Sequence, residues 1–177
     1  ERQRVLLTGL LPDITTDPAI ETATDSVEAG RSGTIVAPVG IRPPLLAAVA
    51  SRAATPLVVL TATGRDAESL TNALASWIPG VAMLPAWETL PHERLSPQVD
   101  TMARRIAVLR RLVHPIKGDD SAGPLSVLVV PIRAFLQPII SGLADLEPVR
   151  VRTGDILDLT ETTNRLAELG YERVDMV

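Results

Sequence analysis

Four short apolar runs constrain the fold most: Thr34–Ala37, Leu57–Leu60, Val81–Leu84 and Leu125–Val130. None shows the strict apolar–polar alternation of a half-exposed strand. Each therefore reads as a strand buried on both faces, as in parallel sheets sandwiched between crossover helices. The intervening segments carry helix signals. Asp17 and Pro18 open one helix that leaves through Gly30, and Pro43-Pro44 open a second. Thr63, three residues before Asp66, predicts a capped start for a third, with a Leu70, Leu74, Trp77 stripe. Ser96 and Pro97 launch a fourth, with a stripe of Met102, Ile106, Leu109 and Val113. A short helix near 132–140 must bend or end at Pro138. Right-handed crossovers then give a doubly wound, three-layer α/β domain.

That domain is expected to run over residues 1–145. Beyond it the texture changes: Val149-Arg150-Val151-Arg152 alternates, a helix with Leu159, Leu166 and Leu169 ends at Gly170, and Tyr171–Val177 reads as another strand. Residues 146–177 are expected to open a second, small α+β domain that is truncated.

With 46% apolar and 21% charged residues and a mean hydropathy of +0.22, the chain is globular rather than disordered. It has no cysteine, which excludes a disulfide framework, a thiolate metal site and a thiol nucleophile. No apolar run approaches the ~20 residues that span a bilayer, and no basic-then-apolar leader opens the sequence. A soluble, cytoplasmic chain without membrane partners is expected.

Net charge is −4, distributed as −4 over residues 1–30, +3 over 31–145 and −3 over 146–177. A duplex-binding surface is normally clearly cationic. Two Trp, one Tyr and one Phe leave little for stacking on single strands. Direct nucleic-acid binding is disfavoured.

In a fold of this class the loop after the first strand is where nucleotides sit. A phosphate cradle needs a glycine-rich loop, a lysine and a magnesium-binding hydroxyl. Ala37-Pro38-Val39-Gly40-Ile41-Arg42-Pro43-Pro44 offers one glycine, no lysine, no hydroxyl and three prolines that each delete an amide donor. Arg42 is the only anion-binding candidate there, and a solvated loop arginine is the plainer reading. The fourth strand is followed by Pro131-Ile132-Arg133, with no acid for magnesium or for acid–base work. Asp119 and Asp120 fall in a flexible, solvated connector, and His92 and His114 alone do not make a metal site. No catalytic, cofactor-binding or metal-binding residues are expected.

Two features remain as candidate interaction surfaces. On the 96–113 helix, Arg104 and Arg111 point opposite the predicted stripe while Arg105 and Arg110 flank it. The plain reading is a solvated face with flanking arginines lying over the core; the sharper one is a docking face for an acidic partner or a neighbouring domain. The second feature is the proline-pinned loop Leu84–Pro97, carrying Trp87, Glu88 and Arg94 at the carboxyl end of a strand. Its Trp87 either closes the core edge or serves binding.

Trp87-Glu88-Thr89-Leu90-Pro91, then Ser96-Pro97, then an arginine-bearing helix, resembles the N-terminal module of the bacterial transcription-repair coupling factors (Mfd). The likeness extends through Leu57–Leu60 and Val127–Pro131 to Gly170-Tyr171-Glu172-Arg173-Val174-Asp175, which also resembles the repair protein UvrB. It covers about residues 35–177; residues 1–30 carry no placed motif.

The resemblance implies a degenerate RecA/helicase-like domain similar to UvrB domain 1a, its P-loop lost, followed by the start of a UvrB domain 2-like, UvrA-binding domain. The fragment would be a non-catalytic adaptor and interdomain brake. The parent would be an ATP-driven DNA translocase that displaces stalled RNA polymerase and recruits UvrA for nucleotide excision repair. ATP and magnesium would belong to the parent's motor domains, and RNA polymerase and DNA would be met through other domains. The best-defined UvrA-contact positions are expected after Val177, the second domain lying mostly beyond this chain, so none is carried over to a residue here. The rival readings are a cryptic nucleotide-binding enzyme using Arg42 and the Trp87 loop, and a DNA-binding module using Arg104, Arg105, Arg110 and Arg111.

Overall fold

A computed structural model describes residues 6–88, 98–149, 151 and 153–168. The helices are α1 (Leu11–Thr15), α2 (Pro18–Glu28), α3 (Arg42–Arg52), α4 (Gly64–Leu74), α5 (Val99–Val113), α6 (Ile132–Phe135) and α7 (Leu159–Glu168). The strands are β1 (Leu57–Thr61), β2 (Val81–Met83) and β3 (Val127–Pro131). They form one parallel sheet in the order β1-β3-β2, with Leu57 and Val81 both in register with Val127. The α/β class with a parallel sheet is as expected.

Pleating sorts the side chains of β3 between two layers. Val127 and Val129, both 0% exposed, meet Ala47 and Ala50 of α3 and Ala67 and Leu74 of α4 on one face. Leu128 and Val130 meet Val108 of α5 and Ala134 of α6 on the other. A fully buried Leu or Val contributes about 1.5–3 kcal/mol over its exposed state, so β3 is the energetic centre of the sheet. A third cluster, Ile20, Ala23, Leu45 and Ala48, joins α2 to α3. Arg52 reinforces that join: its Nε donates to Glu28 Oε1 at 2.7 Å and its Nη2 to Asp25 Oδ1 at 2.9 Å. These two carboxylates hold the Arg52 guanidinium above its ordinary pKa, the bond to Glu28 contributing most.

Helix starts follow the sequence signals. Asp17 Oδ1 accepts from the Ala19 and Ile20 amides at 2.9 and 3.4 Å, and Thr63 Oγ1 accepts from the Asp66 amide at 3.1 Å. Gly30 leaves α2 with φ +66°, the left-handed conformation that suits glycine.

Four expectations are corrected. Thr34–Ala37 is not a strand: the segment carries no ladder, and Ile35 and Val36 are 55% and 96% exposed. β-branched composition gives only a tendency, and the strand needs a neighbour to pair with. The buried line of α5 is Thr101, Arg105, Val108 and Leu109, whereas Met102 and Val113 of the predicted stripe are exposed. The helix is rotated because Thr101 and Arg105 find partners in the chain after β2, described below. Asp119 is not simply solvated; its Oδ1 accepts from the Ser121 and Ala122 amides at 2.8 and 2.9 Å, closing the turn before β3. α6 ends at Phe135, ahead of Pro138, so the helix expected near 132–140 is one turn.

Ser96, Pro97 and the segment from Tyr171 lie outside the described residues, as do Arg150 and Arg152 of the alternating run. Val149 and Val151 carry no strand assignment. Among the described residues no helix is long and apolar enough to cross a membrane.

Candidate functional site

The segment that follows β2 is gripped from two sides. From α5, Arg105 Nη1 donates to the Pro85 carbonyl at 2.6 Å, and its guanidinium carbon lies 4.5 Å from the Trp87 ring centroid. From α6 and the residues after it, Arg133 Nη2 donates to the Glu88 carbonyl at 3.3 Å. Gln137 Oε1 accepts from the Trp87 amide at 2.7 Å, and Gln137 Nε2 donates to the Trp87 carbonyl at 3.2 Å.

Glu88 turns its carboxylate to the start of α5. Thr101 Oγ1 donates to Glu88 Oε1, and the Glu88 and Gln98 amides also bond the carboxylate. Gln98, the N-cap residue of α5, makes no side-chain cap bond of its own. Glu88 therefore supplies from a distance the anion that a helix N-terminus favours. Thr101 first, then these amides, hold the Glu88 carboxyl below its ordinary pKa.

Arg105 is 0% exposed, and among the described residues its Nε and Nη2 have no hydrogen-bond partner. Burial alone pushes its pKa down. The indole face compensates a cation that would otherwise lie uncompensated in the interior.

The predicted arginine face does not assemble. Arg104 points to solvent and pairs with Asp100 at 2.9 Å, one helical turn away. Arg110 Nη1 donates to the Leu146 carbonyl at 2.8 Å, and Arg111 Nε to the Gly123 carbonyl at 2.8 Å. Burial lowers the Arg111 pKa, with Asp119 opposing it. Arg105 is buried rather than flanking. Of the five candidates, Trp87 and Glu88 come together in one constellation, Arg104 and Arg111 stand apart from it, and Arg94 lies outside the described residues. The participants that sequence reasoning missed as partners are Thr101, Arg133 and Gln137. Only Arg133 carried a signal, as the cation following a buried strand.

The segment expected from the sequence to be the nucleotide loop contains Val39–Ile41, a single 3-10 turn feeding α3, and among the described residues no strand precedes it. Here the amide of Ile41 donates to the Pro38 carbonyl at 3.0 Å, and that of Arg42 to the Val39 carbonyl. The next two helix positions are Pro43 and Pro44, which carry no N–H. Over Ile41–Pro44, where a helix N-terminus can grip phosphate, the donors are bonded to main chain or missing. A groove of about 500 Å³ lies beside it, lined by Val39, Arg42, Leu45, Val59, Thr61 and Asp66 among others. Among the described residues no group of three or more His, Asp or Glu is placed to hold a metal ion.

Architecture and site together define a parallel α/β domain in which a 3-10 turn and the pair Pro43-Pro44 open α3. No protein-family model matches the chain. It is homologous to transcription-repair coupling factors. It is 47% identical over 147 residues to the "Transcription-repair-coupling factor" of Mycobacterium tuberculosis (strain CDC 1551 / Oshkosh), covering 81% of this chain and 12% of that protein. The protein of the same name from Mycobacterium bovis matches to the same extent. That of Escherichia coli (strain K12) is 27% identical over 135 residues, 75% of this chain and 11% of that protein. The chain thus spans about one eighth of the length of these two mycobacterial relatives.

Proposed function

We propose that this chain is a non-catalytic adaptor module of a transcription-repair coupling factor, placed near the N-terminus of the parent and contributing to UvrA recruitment for excision repair. The observation that carries the reading is the start of α3: the amides of Ile41 and Arg42 are bonded to main-chain carbonyls, and Pro43 and Pro44 have none. Homology to coupling factors gives the context. A domain similar to UvrB domain 1a over residues 1–145 and the start of a UvrA-binding domain from residue 146 complete the proposal. RNA polymerase, DNA, ATP and magnesium would be handled by other parts of the parent, in the cytoplasm.

Two measurements test it. Millimolar ATP with magnesium should leave the melting temperature of the chain unchanged, and a saturable rise would restore the nucleotide-enzyme reading. In a pulldown with UvrA, capture is expected only for a chain extended through the complete second domain; equal capture by residues 1–177 would overturn the placement of the contact surface.

A further inference from the structure

We infer that the Trp87 ring occupies, as a built-in ligand, a seat for planar aromatic molecules at the carboxyl end of the sheet. The floor of the seat is Arg105, whose guanidinium carbon lies 4.5 Å from the ring centroid. No part of Arg105 is exposed, and its Nη1 bonds the Pro85 carbonyl. Among the described residues its Nε and Nη2 have no partner. A desolvated guanidinium left in that state is stabilised chiefly by the electron-rich face laid over it. A floor of this kind selects a flat π system over an aliphatic body of the same volume.

The contacts that fix the loop are separate from the one that seats the ring. Gln137 holds the Trp87 amide and carbonyl, and Arg133 holds the Glu88 carbonyl. Arg105 holds the Pro85 carbonyl, so the main chain is anchored on both sides of residue 87 by side chains from α5, from α6 and from just beyond it. Truncating the side chain at 87 therefore removes the ring and leaves the path of the loop and the charged floor in place. At an ordinary core site, neighbours held only by packing move partway into the gap.

The position suits a ligand. Trp87 follows β2, while Arg133 and Gln137 follow the start and end of the turn that β3 feeds. Open parallel sheets take their ligands outside the carboxyl ends of their strands. Leu84 and Ala86, just before Trp87 in the chain, pack into the apolar cluster with Val108 and Ala134, so the loop enters this end of the sheet already seated. The chain thus carries in its own sequence the group that fills the place. The inference is separate from the adaptor and UvrA reading, which rests on the start of α3, so either can fail alone.

Rescue by indole tests it. The W87A chain is expected to show a saturable rise in thermal midpoint as indole is added, while wild type shows none over the same concentrations. Cyclohexanol, apolar but without a π face, should give no such rise. In the double variant W87A/R105M the indole dissociation constant should be roughly fivefold larger, because a weaker sulfur contact replaces the cation–π attraction. No rise with indole, an equal rise in wild type or with cyclohexanol, or equal affinity in the double variant overturns the inference. A second measurement needs no truncation. The substitution W77F leaves Trp87 as the single tryptophan. Replacing it in turn by mono-, di- and trifluorinated tryptophan withdraws electron density from the ring face, and the thermal midpoint should fall stepwise. A midpoint that does not follow the number of fluorines overturns the inference as well.

Discussion

The guanidinium of Arg105 lies 4.5 Å from the ring centroid of Trp87, and no part of Arg105 is exposed. Each residue makes the position of the other tolerable, because the indole covers a charge that has left water and the guanidinium fills the space beneath the ring. Trp87→Ala should destabilise the chain by about 2–4 kcal/mol, through lost packing and an uncovered charge. Arg105→Met should stay within about 1 kcal/mol of wild type, since an apolar side chain of similar length replaces a poorly bonded cation. In the R105M background the cost of Trp87→Ala should shrink. Urea denaturation of the two single variants and the double variant measures the coupling; identical Trp87→Ala costs in both backgrounds would refute it.

The Thr101–Glu88 bond makes stability depend on acid. Glu88 has a folded-state pKa below its unfolded value. Its contribution is therefore fully present above the unfolded carboxylate value and is lost as pH falls through the folded one. Thr101→Val should lower the denaturation midpoint at neutral pH and have less effect near about pH 3. An equal loss at both pH values would mean that Thr101 acts by packing alone.

Gly80 precedes β2 with φ +73°, and a Cβ there would stand 2.9 Å from the Pro124 carbonyl oxygen and 2.9 Å from the Ser126 amide nitrogen. Its own carbonyl accepts from Ser126 and Val127 at 2.8 and 3.2 Å, which seats the start of β3. Gly80→Ala combines a left-handed backbone with contact against main chain, and should cost about 2–3 kcal/mol. A thermal midpoint equal to wild type would be inconsistent with that close approach.

Arg110 ties the C-terminal half of α5 to residues 144–146, bonding the Ala144 and Leu146 carbonyls at 3.4 and 2.8 Å. His114 joins at the same place, its Nε2 2.6 Å from Asp145 Oδ1. Arg110→Ala should accelerate proteolytic nicking between residues 143 and 149 severalfold while changing the global midpoint little. Unchanged cleavage there would show that the junction is held by other contacts.

What could be read from the sequence was whatever depends on near neighbours. Runs such as Leu57–Leu60 and Leu125–Val130 announce strands, although only β3 is buried on both faces while Val58 and Leu60 of β1 are exposed. Asp17 and Thr63 cap helices through amides two or three residues away. What escaped depends on distance. Gln137 meets Trp87 across fifty positions, and no local pattern marks such a pair. The buried line of α5 was misassigned because hydrophobicity ranked Met102 above Arg105, and only the tertiary partners Pro85 and Trp87 reverse that order. Thr34–Ala37 shows the opposite error, local tendency without a partner. Trp87 and Glu88 were named as candidates within one loop, and their described contacts are internal.

The manner in which Gln137 holds Trp87 has a practical consequence. It reads the path of the polypeptide and is blind to the identity of the side chain at that position. An aliphatic or polar replacement there would leave the carboxamide grip intact, whereas an imino acid would cancel half of it. Anyone transplanting this loop into another scaffold would have to carry along a glutamine encoded far downstream.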